Sequence, residues 1–400
     1  MFTFFGVAPL DKNEKLISRI LYFCDLDTLT QARQVSRSWR TAVINMVTRK
    51  RIFTNTLQKC DYFTRISFTG FDLERLSGGL TNTTFKIVIS NQPYVARLPG
   101  KQTDLYINRQ SEYVNASIAT QCGINAEIVY YDVDKGSQIT AFLKKPVSMD
   151  AASIQSETNL KAAIQTLSSI HHCGKKFAND IDVFERNDIM LRIIAGKSGK
   201  ALTDYESLRE VMQKIRKIVS SLNMPKTACH NDTTPTNFVY SEDRMYLIDW
   251  EYSGNNYPIW DLVCLAMESN FTPEKREEML KMYYGNPSQE IRNLFQVLMP
   301  VYEYWVALWS GVQIANSNVV DGIEGLAALE SSRLQGCQKT IQSETFKSAL
   351  ESLESLTANK VQYTADTNIE VFGIFPSEFP KGNTDSRAPD SRPDHAPPHY

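Results

Sequence analysis

The stretch HNDTTPTNFVYSEDRMYLIDWE, residues 230–251, decides the fold of this 400-residue chain. It carries Asp232 on a loop, and Asn237 follows five positions later. The run NFVY predicts a strand, SEDR a turn and MYLID a returning strand. Such a hairpin would bring Asp249 back beside the loop. Asp and Asn are common in turns for purely structural reasons, but two carboxylates around an apolar strand that ends in LID indicate a functional site.

These three side chains fit the chemistry of phosphoryl transfer. Asp232 can accept the proton of a substrate hydroxyl and is the predicted catalytic residue. The amide oxygen of Asn237 and the carboxylate of Asp249 can hold Mg²⁺ on the phosphates of ATP, because this ion prefers oxygen ligands. The stretch therefore predicts a kinase-like phosphotransferase that uses ATP and Mg²⁺.

The segment FDLERLSGGLTNTTFKIVIS, upstream of this stretch, predicts strand, turn and strand. Gly78 and Gly79 allow the backbone to turn close to a nucleotide. Thr81 and Asn82 can donate hydrogen bonds to phosphate oxygens. A pair of glycines also occurs in ordinary hairpins, so this segment indicates an ATP-binding turn mainly through its place in the order of elements.

The next elements continue the order of a kinase N-lobe. The strand PYVARLPG carries Arg97 as the cation that would meet the phosphates, and the helical stretch 108–121 carries Glu112, which is placed to pair with Arg97. EIVYYDVDKGSQITAFL predicts a hairpin that runs into a hinge between lobes. Phe142 and Leu143 are the candidates for contact with adenine there. Glu112 could equally be a solvated charge on the helix surface, but the order of the predicted strands and helix favours an ion pair between Glu112 and Arg97.

Aromatic residues crowd the segments after the catalytic stretch. Trp305 and Trp309 lie four apart on one helical face. Two Trp on one face are often core residues, whereas next to an acceptor site they would form a cation–π wall. The predicted substrate-binding residues are Glu251, Tyr252, Tyr257, Trp305 and Trp309. His230 and Asp261 are predicted to support the catalytic loop.

Bulk properties bound the remaining classes. A net charge of −2 gives no support for nucleic-acid binding. Seven cysteines without CxxC pairs argue against a disulfide framework and for reduced thiols. The chain has no run of eighteen apolar residues, so we expect no membrane span, and its apolar start lacks a basic region typical of a signal peptide. We therefore expect a cytoplasmic enzyme.

The chain from about residue 70 to 350 resembles the choline/ethanolamine kinase family, among the aminoglycoside-phosphotransferase-like kinases. The matching pieces are GGLTNTTF, ARLPG, HNDTTPTN, LIDWEYSGNNYPIWDL and WVALWSGVQ. The resemblance implies transfer of the ATP γ-phosphoryl group to choline or a related amino alcohol, with Trp309 in the choline pocket. Trp305 departs from the family pattern, because Val306 occupies the place of the other pocket Trp. The compact spacing resembles bacterial choline kinases as much as eukaryotic ones.

Three alternatives remain open. An aminoglycoside-type or other small-molecule kinase would share the catalytic motifs, although its acceptor pocket should be rich in carboxylates rather than aromatic. A non-catalytic adaptor could use the fold only to bind a ligand, but Asp232, Asn237 and Asp249 are all intact. Protein kinase activity is disfavoured because a DFG and APE pair is missing.

The first sixty residues resemble an F-box, with a Pro-Leu start, a DL turn and the run QVSRSWR. Their apolar residues fall at helical spacing and predict three short helices. The resemblance implies docking of a Skp-type adaptor of an SCF ubiquitin ligase, and one hypothesis is a bacterial protein delivered into a host cytosol. A plain helical extension that packs on the kinase is the alternative. The predicted docking residues are Leu10, Ile17, Ile20, Leu21, Leu26 and Leu29.

The predicted architecture is α+β: a two-lobed, protein-kinase-like fold with a small β-rich N-lobe and a mostly helical C-lobe, preceded by a small all-α F-box-like domain. The predicted boundaries are 1–60 for the F-box-like domain, 61–145 for the N-lobe and 146–365 for the C-lobe. Residues 366–400 form a Pro-rich tail that cannot bury enough apolar surface to order itself.

Overall fold

The computed structural model describes most of the chain between residues 37 and 360. The described residues are 37–60, 63, 66–67, 70–76, 82–100, 103–198, 203–316 and 323–360. The six predicted docking residues, the predicted glycines of the ATP turn, Thr81 and the predicted tail lie outside these residues.

A five-stranded antiparallel sheet forms the first lobe, in the order β1-β2-β3-β5-β4. The strict alternation of TTFKIVI turns Phe85, Ile87 and Ile89 to one buried face of β2. The tight turn between β2 and β3 uses two residues with positive φ, Ser90 and Asn91. The strands are β1 (Asp72–Arg75), β2 (Thr83–Ile89), β3 (Gln92–Leu98), β4 (Ile128–Tyr131) and β5 (Gln138–Ala141).

Two helices accompany this sheet, α1 (Arg37–Asn55) and α2 (Arg109–Gln121). The Asn108 side chain caps α2 by accepting a hydrogen bond from the backbone N–H of Ser111 at 2.9 Å. The predicted helix at 108–121 is thus confirmed, and it turns Glu112 to the interior. We call the sheet, α2 and the end of α1 the β-rich lobe.

The end of α1 is part of the core of the β-rich lobe. Ile52 and Leu57 are fully buried, and they belong to the same apolar cluster as Ile87 and Ile139 of the sheet. The predicted boundary at residue 60 falls among residues of this cluster, and the division into domains stays a prediction. Ile52 of α1 and Leu57 just after it pack with the sheet, whereas the residues predicted to dock an adaptor lie outside the described part of the chain.

Two small sheets lie at the junction with the second lobe. One has the order β6-β8-β9 and contains the predicted hairpin, and the other pairs β7 with β10. The predicted NFVY and MYLID strands are confirmed, with the intervening turn at Glu242 in the left-handed region. These strands are β6 (Val147–Ser148), β7 (Thr227–Cys229), β8 (Phe238–Ser241), β9 (Arg244–Leu247) and β10 (Gly254–Asn256).

Eight helices among the described residues form the helical lobe together with these small sheets. The longest, α8, is buried along most of its 27 residues and packs against α4, α6, α9 and α10. No helix in the described part of the chain has the length and apolarity needed to cross a membrane. The helices are α3 (Glu157–His171), α4 (Val183–Ser198), α5 (Thr203–Ser221), α6 (Pro258–Glu268), α7 (Pro273–Tyr284), α8 (Gln289–Ala315), α9 (Ile323–Gln342) and α10 (Glu344–Lys360).

Candidate active site

A cavity of about 810 Å³ lies between the β-rich lobe and the helical lobe. Residues of β2, β3 and β5 line one wall, the segment around the β8–β9 hairpin lines the opposite wall, and α8 closes one end. Pockets of this size and depth are typical of small-molecule sites. This cavity is lined by the residues predicted for catalysis and metal binding, Asp232, Asn237 and Asp249.

The loop after β7 holds Asp232 and Asn237 against each other. The amide nitrogen of Asn237 donates to the backbone oxygen of Asp232 at 2.8 Å and lies 3.4 Å from its carboxylate. This orientation leaves the Asn237 amide oxygen as its ligating atom. Asp249 follows β9 in the left-handed region, with φ of 68°, which places it beside this loop at the end of the hairpin. Non-glycine residues in this region often mark functional sites.

Asp261 is hydrogen-bonded to the loop that precedes Asp232. Its carboxylate accepts the backbone N–H groups of His230 at 2.8 Å and Asn231 at 2.7 Å. His171 of α3 lies 2.9 Å from the same carboxylate, and its other ring nitrogen lies 2.7 Å from the Tyr283 hydroxyl. Because all of these groups are buried, their hydrogen bonds leave the loop little freedom. The supporting role predicted for Asp261 remains a prediction that these contacts favour.

His230 also lies beneath the loop rather than in the cavity. One of its ring nitrogens is 2.9 Å from the Ile248 carbonyl, and the other accepts from the Asp232 backbone N–H at 3.3 Å. The ring packs edge-on against Trp250. Burial lowers the pKa of His230, and nearby Asp261 only partly offsets that effect. A neutral imidazole that bridges the loop and the β9 end is consistent with its predicted supporting role.

Two arginines and two glutamates join the lobes at the wall of the cavity, which Arg97, Glu112 and Glu251 line. Arg97 forms ion pairs with Glu112 of α2 and with Asp249. Arg109 lies 2.6 Å from Glu112 and 3.3 Å from Glu251. Burial would raise the pKa of Glu112, but the two guanidinium groups outweigh it and hold this pKa below its ordinary value. The predicted Arg97–Glu112 pair is therefore present in the structure.

The end of the cavity next to the β-rich lobe, which is the predicted nucleotide end, contains several predicted ATP-binding residues. Asn82, Phe142 and Leu143 line it, together with Arg97 and Glu112. The Asn82 side-chain oxygen accepts from the Gly100 backbone N–H at 3.3 Å. Phe142 and Leu143 follow β5 directly, where the chain leaves the sheet for the helical lobe. This position agrees with the predicted hinge, although their contact with adenine stays a prediction.

The end of the cavity at α8, which is the predicted acceptor end, is aromatic. Tyr252, Tyr302, Trp305 and Trp309 line it, and the Trp309 indole N–H donates to the Tyr252 hydroxyl at 2.9 Å. Trp305 is only 8% exposed, because its ring packs edge-on against Tyr252 and stacks on Tyr302. Trp305 thus lines the cavity while it contributes mainly to the core. Glu268 places one carboxylate at this end.

Tyr257, a predicted substrate-binding residue, lies apart from the other members of that set. It is the residue before Pro258 at the start of α6, and it lies with Met224 and Tyr284 at a separate small hollow. It is not among the residues that line the main cavity. The chain turns between Tyr252 and Pro258 through β10, which pairs with β7 and carries Tyr257 away from the aromatic end.

Clustered acids perturb the titration of the site. Burial, with Asp249 and Glu251 nearby, raises the pKa of Asp232 well above its ordinary value. Burial and Asp249 likewise raise the pKa of Glu251 to about 7, although Arg97 opposes them. Such shifts are common where an enzyme gathers carboxylates around a cation or a proton transfer.

Sequence reasoning missed Arg109, His171, Glu268 and Arg333. Arg109 precedes Glu112 by one helical turn, a spacing that signals an ion pair but not its burial. Arg333 of α9 pairs with Glu268 at 2.7 Å, and both line the acceptor end. No local pattern distinguishes His171, because its partner Asp261 lies ninety positions later.

A β-rich lobe, a helical lobe and a cleft that gathers Asp232, Asn237 and Asp249 define a kinase-like phosphotransferase. The model of the choline/ethanolamine kinase family matches residues 73–297, which is more than half of the chain. The chain belongs to the choline/ethanolamine kinase family. This membership confirms the expected class of enzyme, a kinase phosphotransferase.

Individual relatives agree with this membership. Protein LicA of Haemophilus influenzae is 27% identical over 222 residues, which cover 55% of this chain and 65% of that protein, so the chain spans less than two thirds of it. A crystal structure of a choline/ethanolamine kinase family protein from Mesorhizobium loti has a TM-score of 0.64 and 27% identity, and the match covers 78% of this chain and 99% of the other.

The choline kinase LicA from Streptococcus pneumoniae is similar at a TM-score of 0.60 and 25% identity, over 74% of this chain and 98% of that chain. Together with the Mesorhizobium structure, it confirms the predicted kinase-like fold with a β-rich lobe and a helical lobe. The family match begins at residue 73, after α1, so the end of α1 is a feature outside the matched region.

Proposed function

We propose that this protein transfers the γ-phosphoryl group of ATP to the hydroxyl of choline or a related amino alcohol. The observation that carries the proposal is that Asp232, Asn237 and Asp249 line the same cavity as an aromatic acceptor end. The names of the relatives support the same choice, since one similar structure is a choline kinase.

Asp232 acts on the acceptor in this proposal. Its carboxylate accepts the hydroxyl proton as the oxygen forms a bond to the γ-phosphorus, and the bond between that phosphorus and the β–γ bridging oxygen breaks. ADP leaves with the bridging oxygen. The raised pKa of Asp232 makes its carboxylate a stronger base than an ordinary aspartate. Neutralisation of Asp249 by a bound cation would remove one cause of that raised pKa.

The donor set suits Mg²⁺. Asp249 supplies a carboxylate and Asn237 an amide oxygen at the same wall of the cavity, and this ion prefers such hard oxygen ligands completed by phosphates and water. When bound, Mg²⁺ would neutralise charge on the transferring phosphates. Arg97 lies beside Asp249 and would add a second positive charge at this end. Asn237 and Asp249 are the proposed ligands.

The aromatic end favours a cationic acceptor. The faces of Tyr252, Trp305 and Trp309 offer cation–π contacts, and Glu251 and Glu268 add negative charge nearby. The ion pair between Glu268 and Arg333 moderates that charge. A single quaternary or primary ammonium fits this balance better than a polycationic aminoglycoside does, since the latter would need more unpaired carboxylates.

The N-terminal module remains a separate hypothesis. We propose from the sequence alone that residues 1–60 contribute an F-box-like surface for a Skp-type adaptor, and that the enzyme acts in the cytosol, of a host cell if the protein is a delivered bacterial one. The residues proposed to dock lie outside the described part of the chain. Copurification of the full chain with a Skp-type adaptor is the test, and failure to copurify would count against docking.

Turnover of ATP with Mg²⁺ tests the main proposal, with choline, ethanolamine and an aminoglycoside panel as acceptors. We expect phosphocholine or phosphoethanolamine from the wild type and a loss of roughly 10²–10⁴-fold in Asp232→Ala, the range typical of a positioned acid–base group. Asp249→Ala should abolish Mg²⁺-dependent turnover. Asp243→Ala, in the exposed turn of the same hairpin, is the matched control and should retain full activity.

The outcomes separate the candidates clearly. Phosphorylated aminoglycoside without phosphorylated amino alcohol would replace the proposed acceptor class. Full activity in Asp232→Ala would refute the catalytic assignment. If the wild type turned over none of the acceptors, the non-catalytic adaptor would become the better explanation of the chain.

A further inference from the structure

We propose that Arg109 is a positioning residue of the phosphoryl-transfer site: it holds Glu112 and Glu251 in place and so keeps Arg97 available for the phosphates. The inference rests on the proposed ATP-dependent function. Neither the catalytic stretch nor the aromatic end contains Arg109, and it reaches no reacting atom directly.

The contacts of Arg109 span both lobes. Its guanidinium lies 2.6 Å from Glu112 on α2 and 3.3 Å from Glu251, which follows Asp249 in the helical lobe by two positions. It also donates to the Thr103 hydroxyl, just after β3. The side chain is 7% exposed, and planar guanidinium groups are well suited to such buried, forked contacts. One cation therefore ties three separate segments together.

The charge balance explains why this position matters. Two cations, Arg97 and Arg109, face three carboxylates, those of Glu112, Asp249 and Glu251. Glu112 contacts both cations. If Arg97 turns to the phosphates, Glu112 keeps a cationic partner because Arg109 remains. Without Arg109, Arg97 would be the remaining cation beside the buried Glu112, and a buried carboxylate without a cationic partner is strongly unfavourable.

The hairpin between β4 and β5 holds Arg109 in place. Gly136 has φ of +69°, and a Cβ atom at this position would lie 2.5 Å from the Arg109 Nε. The turn itself is fixed by Asp132, whose carboxylate accepts two backbone N–H groups of the turn at 3.1 Å each. Lys59, from the segment after α1, pairs with the same carboxylate at 2.8 Å. The Arg109 side chain is thus packed closely against Gly136, and a bulkier residue at position 136 would displace it.

A merely structural role for Arg109 would make a different prediction. If it only joined the lobes, its loss would lower stability and affect both substrates alike. If it keeps Arg97 available, its loss weakens nucleotide binding specifically, because Arg97 would be retained by Glu112. The affinity for nucleotide and the KM for the acceptor should therefore separate.

The test measures Mg·ADP binding by calorimetry, together with KM for ATP and for choline, in Arg109→Lys and Arg109→Met. Arg109→Lys keeps the charge and the fold but can satisfy only one carboxylate at a time. We expect its Kd for Mg·ADP to rise about threefold to tenfold, and that of Arg109→Met by about tenfold to a hundredfold, as expected for the loss of charge-assisted hydrogen bonds. The KM for choline should stay within twofold in Arg109→Lys.

Two further variants serve as controls for non-specific effects and for poor folding. Arg209→Met removes an exposed arginine of α5 from a surface ion pair and should leave every quantity unchanged. If Arg109→Met is poorly folded, adding Glu251→Gln removes one uncompensated acid. The double variant should then regain stability, while its Mg·ADP affinity stays below that of Glu251→Gln alone.

The possible results divide the two proposals. If the wild type binds Mg·ADP and Arg109→Lys binds it equally well, the positioning role is overturned while the kinase proposal stands. Equal increases in KM for ATP and for choline would also overturn it. If the wild type binds no Mg·ADP, both proposals fall. If it binds Mg·ADP without phosphorylating choline, only the acceptor assignment fails, and the Arg109 result is read from nucleotide affinity.

Discussion

Replacement of Ile52 by alanine should destabilise the β-rich lobe, although this residue lies on α1, outside the family match. Ile52 is 0% exposed and belongs to the same cluster as Ile87 and Ile139 of the sheet. Truncation of a fully buried isoleucine to alanine typically costs about 2–5 kcal/mol, because it loses apolar burial and leaves a cavity. Against the 5–15 kcal/mol that usually holds a domain together, this is a large fraction.

Hydrogen exchange of the β2 and β3 amides measures this effect within the lobe itself. A loss of about 2 kcal/mol would raise the exchange rate of the most protected amides by roughly 30-fold. The neighbouring substitution Arg51→Ala is the matched control, since Arg51 is exposed on the same helix and alanine favours a helix. Its effect should stay within about 0.5 kcal/mol.

The reasoning would be refuted by strand amides that exchange at wild-type rates in Ile52→Ala while the amides of α1 exchange faster. That pattern would mean that α1 and the sheet unfold independently, as the predicted boundary at residue 60 requires. Faster exchange in both elements would show that the end of α1 and the sheet share one core.

Three further predictions follow from individual contacts. Asp261→Asn should lower kcat by about 10-fold to 100-fold with little change in KM, because one loop N–H loses a charged acceptor worth about 1.5–3 kcal/mol; an unchanged kcat would contradict the supporting role. Tyr252→Phe removes the acceptor of the Trp309 indole N–H and should raise KM for the acceptor about threefold to tenfold, with KM for ATP as the internal control. Burial raises the pKa of Glu303 to about 7, so its folded form binds a proton that the unfolded form has lost, and stability falls as pH rises from about 4.5 to 7. Glu303→Gln should therefore stabilise the protein by about 1–2 kcal/mol at pH 8, after allowance for partial exposure, and by almost nothing at pH 4.5. Urea denaturation at the two pH values measures this difference. Equal effects of the substitution at both pH values would argue against the raised pKa of Glu303.

The hairpin and the capped helix could be predicted because their signals are local. The hairpin has two short runs of apolar residues on either side of a polar turn, and residues 108–121 have a helical pattern, so neighbouring residues alone indicate both elements. The pairing of Arg97 with Glu112 needed more, namely the expected order of strand and helix in a kinase lobe. That order held, and the two side chains meet.

Tyr257 lies away from the main cavity for a physical reason. It lies close in sequence to Tyr252, but the intervening β10 pairs with β7 and redirects the chain before α6 begins. Proximity in sequence indicates proximity in space only within one element. Trp305 shows the related difficulty that a residue can line a cavity and still be held by core contacts.

Arg109 illustrates what periodicity cannot supply. An arginine in the first turn of a helix is usually solvated, and nothing near it in the sequence indicates burial. Its environment comes from Glu251, 142 positions later, and from the left-handed turn at Gly136. Because a buried cation is tolerated only with partners, its identity as a site residue depends on tertiary contacts that single-sequence patterns do not encode.

The N-terminal region also shows that a sequence pattern does not identify the tertiary contacts of an element. Apolar residues at helical spacing predicted helices in the first sixty residues, and α1 is indeed helical where it is described. Helical periodicity indicates that one face of a helix is buried, but it does not identify the surface that packs against that face. For Ile52 and Leu57 the covering surface is the kinase sheet. Lys59, which follows α1, extends this contact through Asp132 to the turn at Gly136 that packs on Arg109.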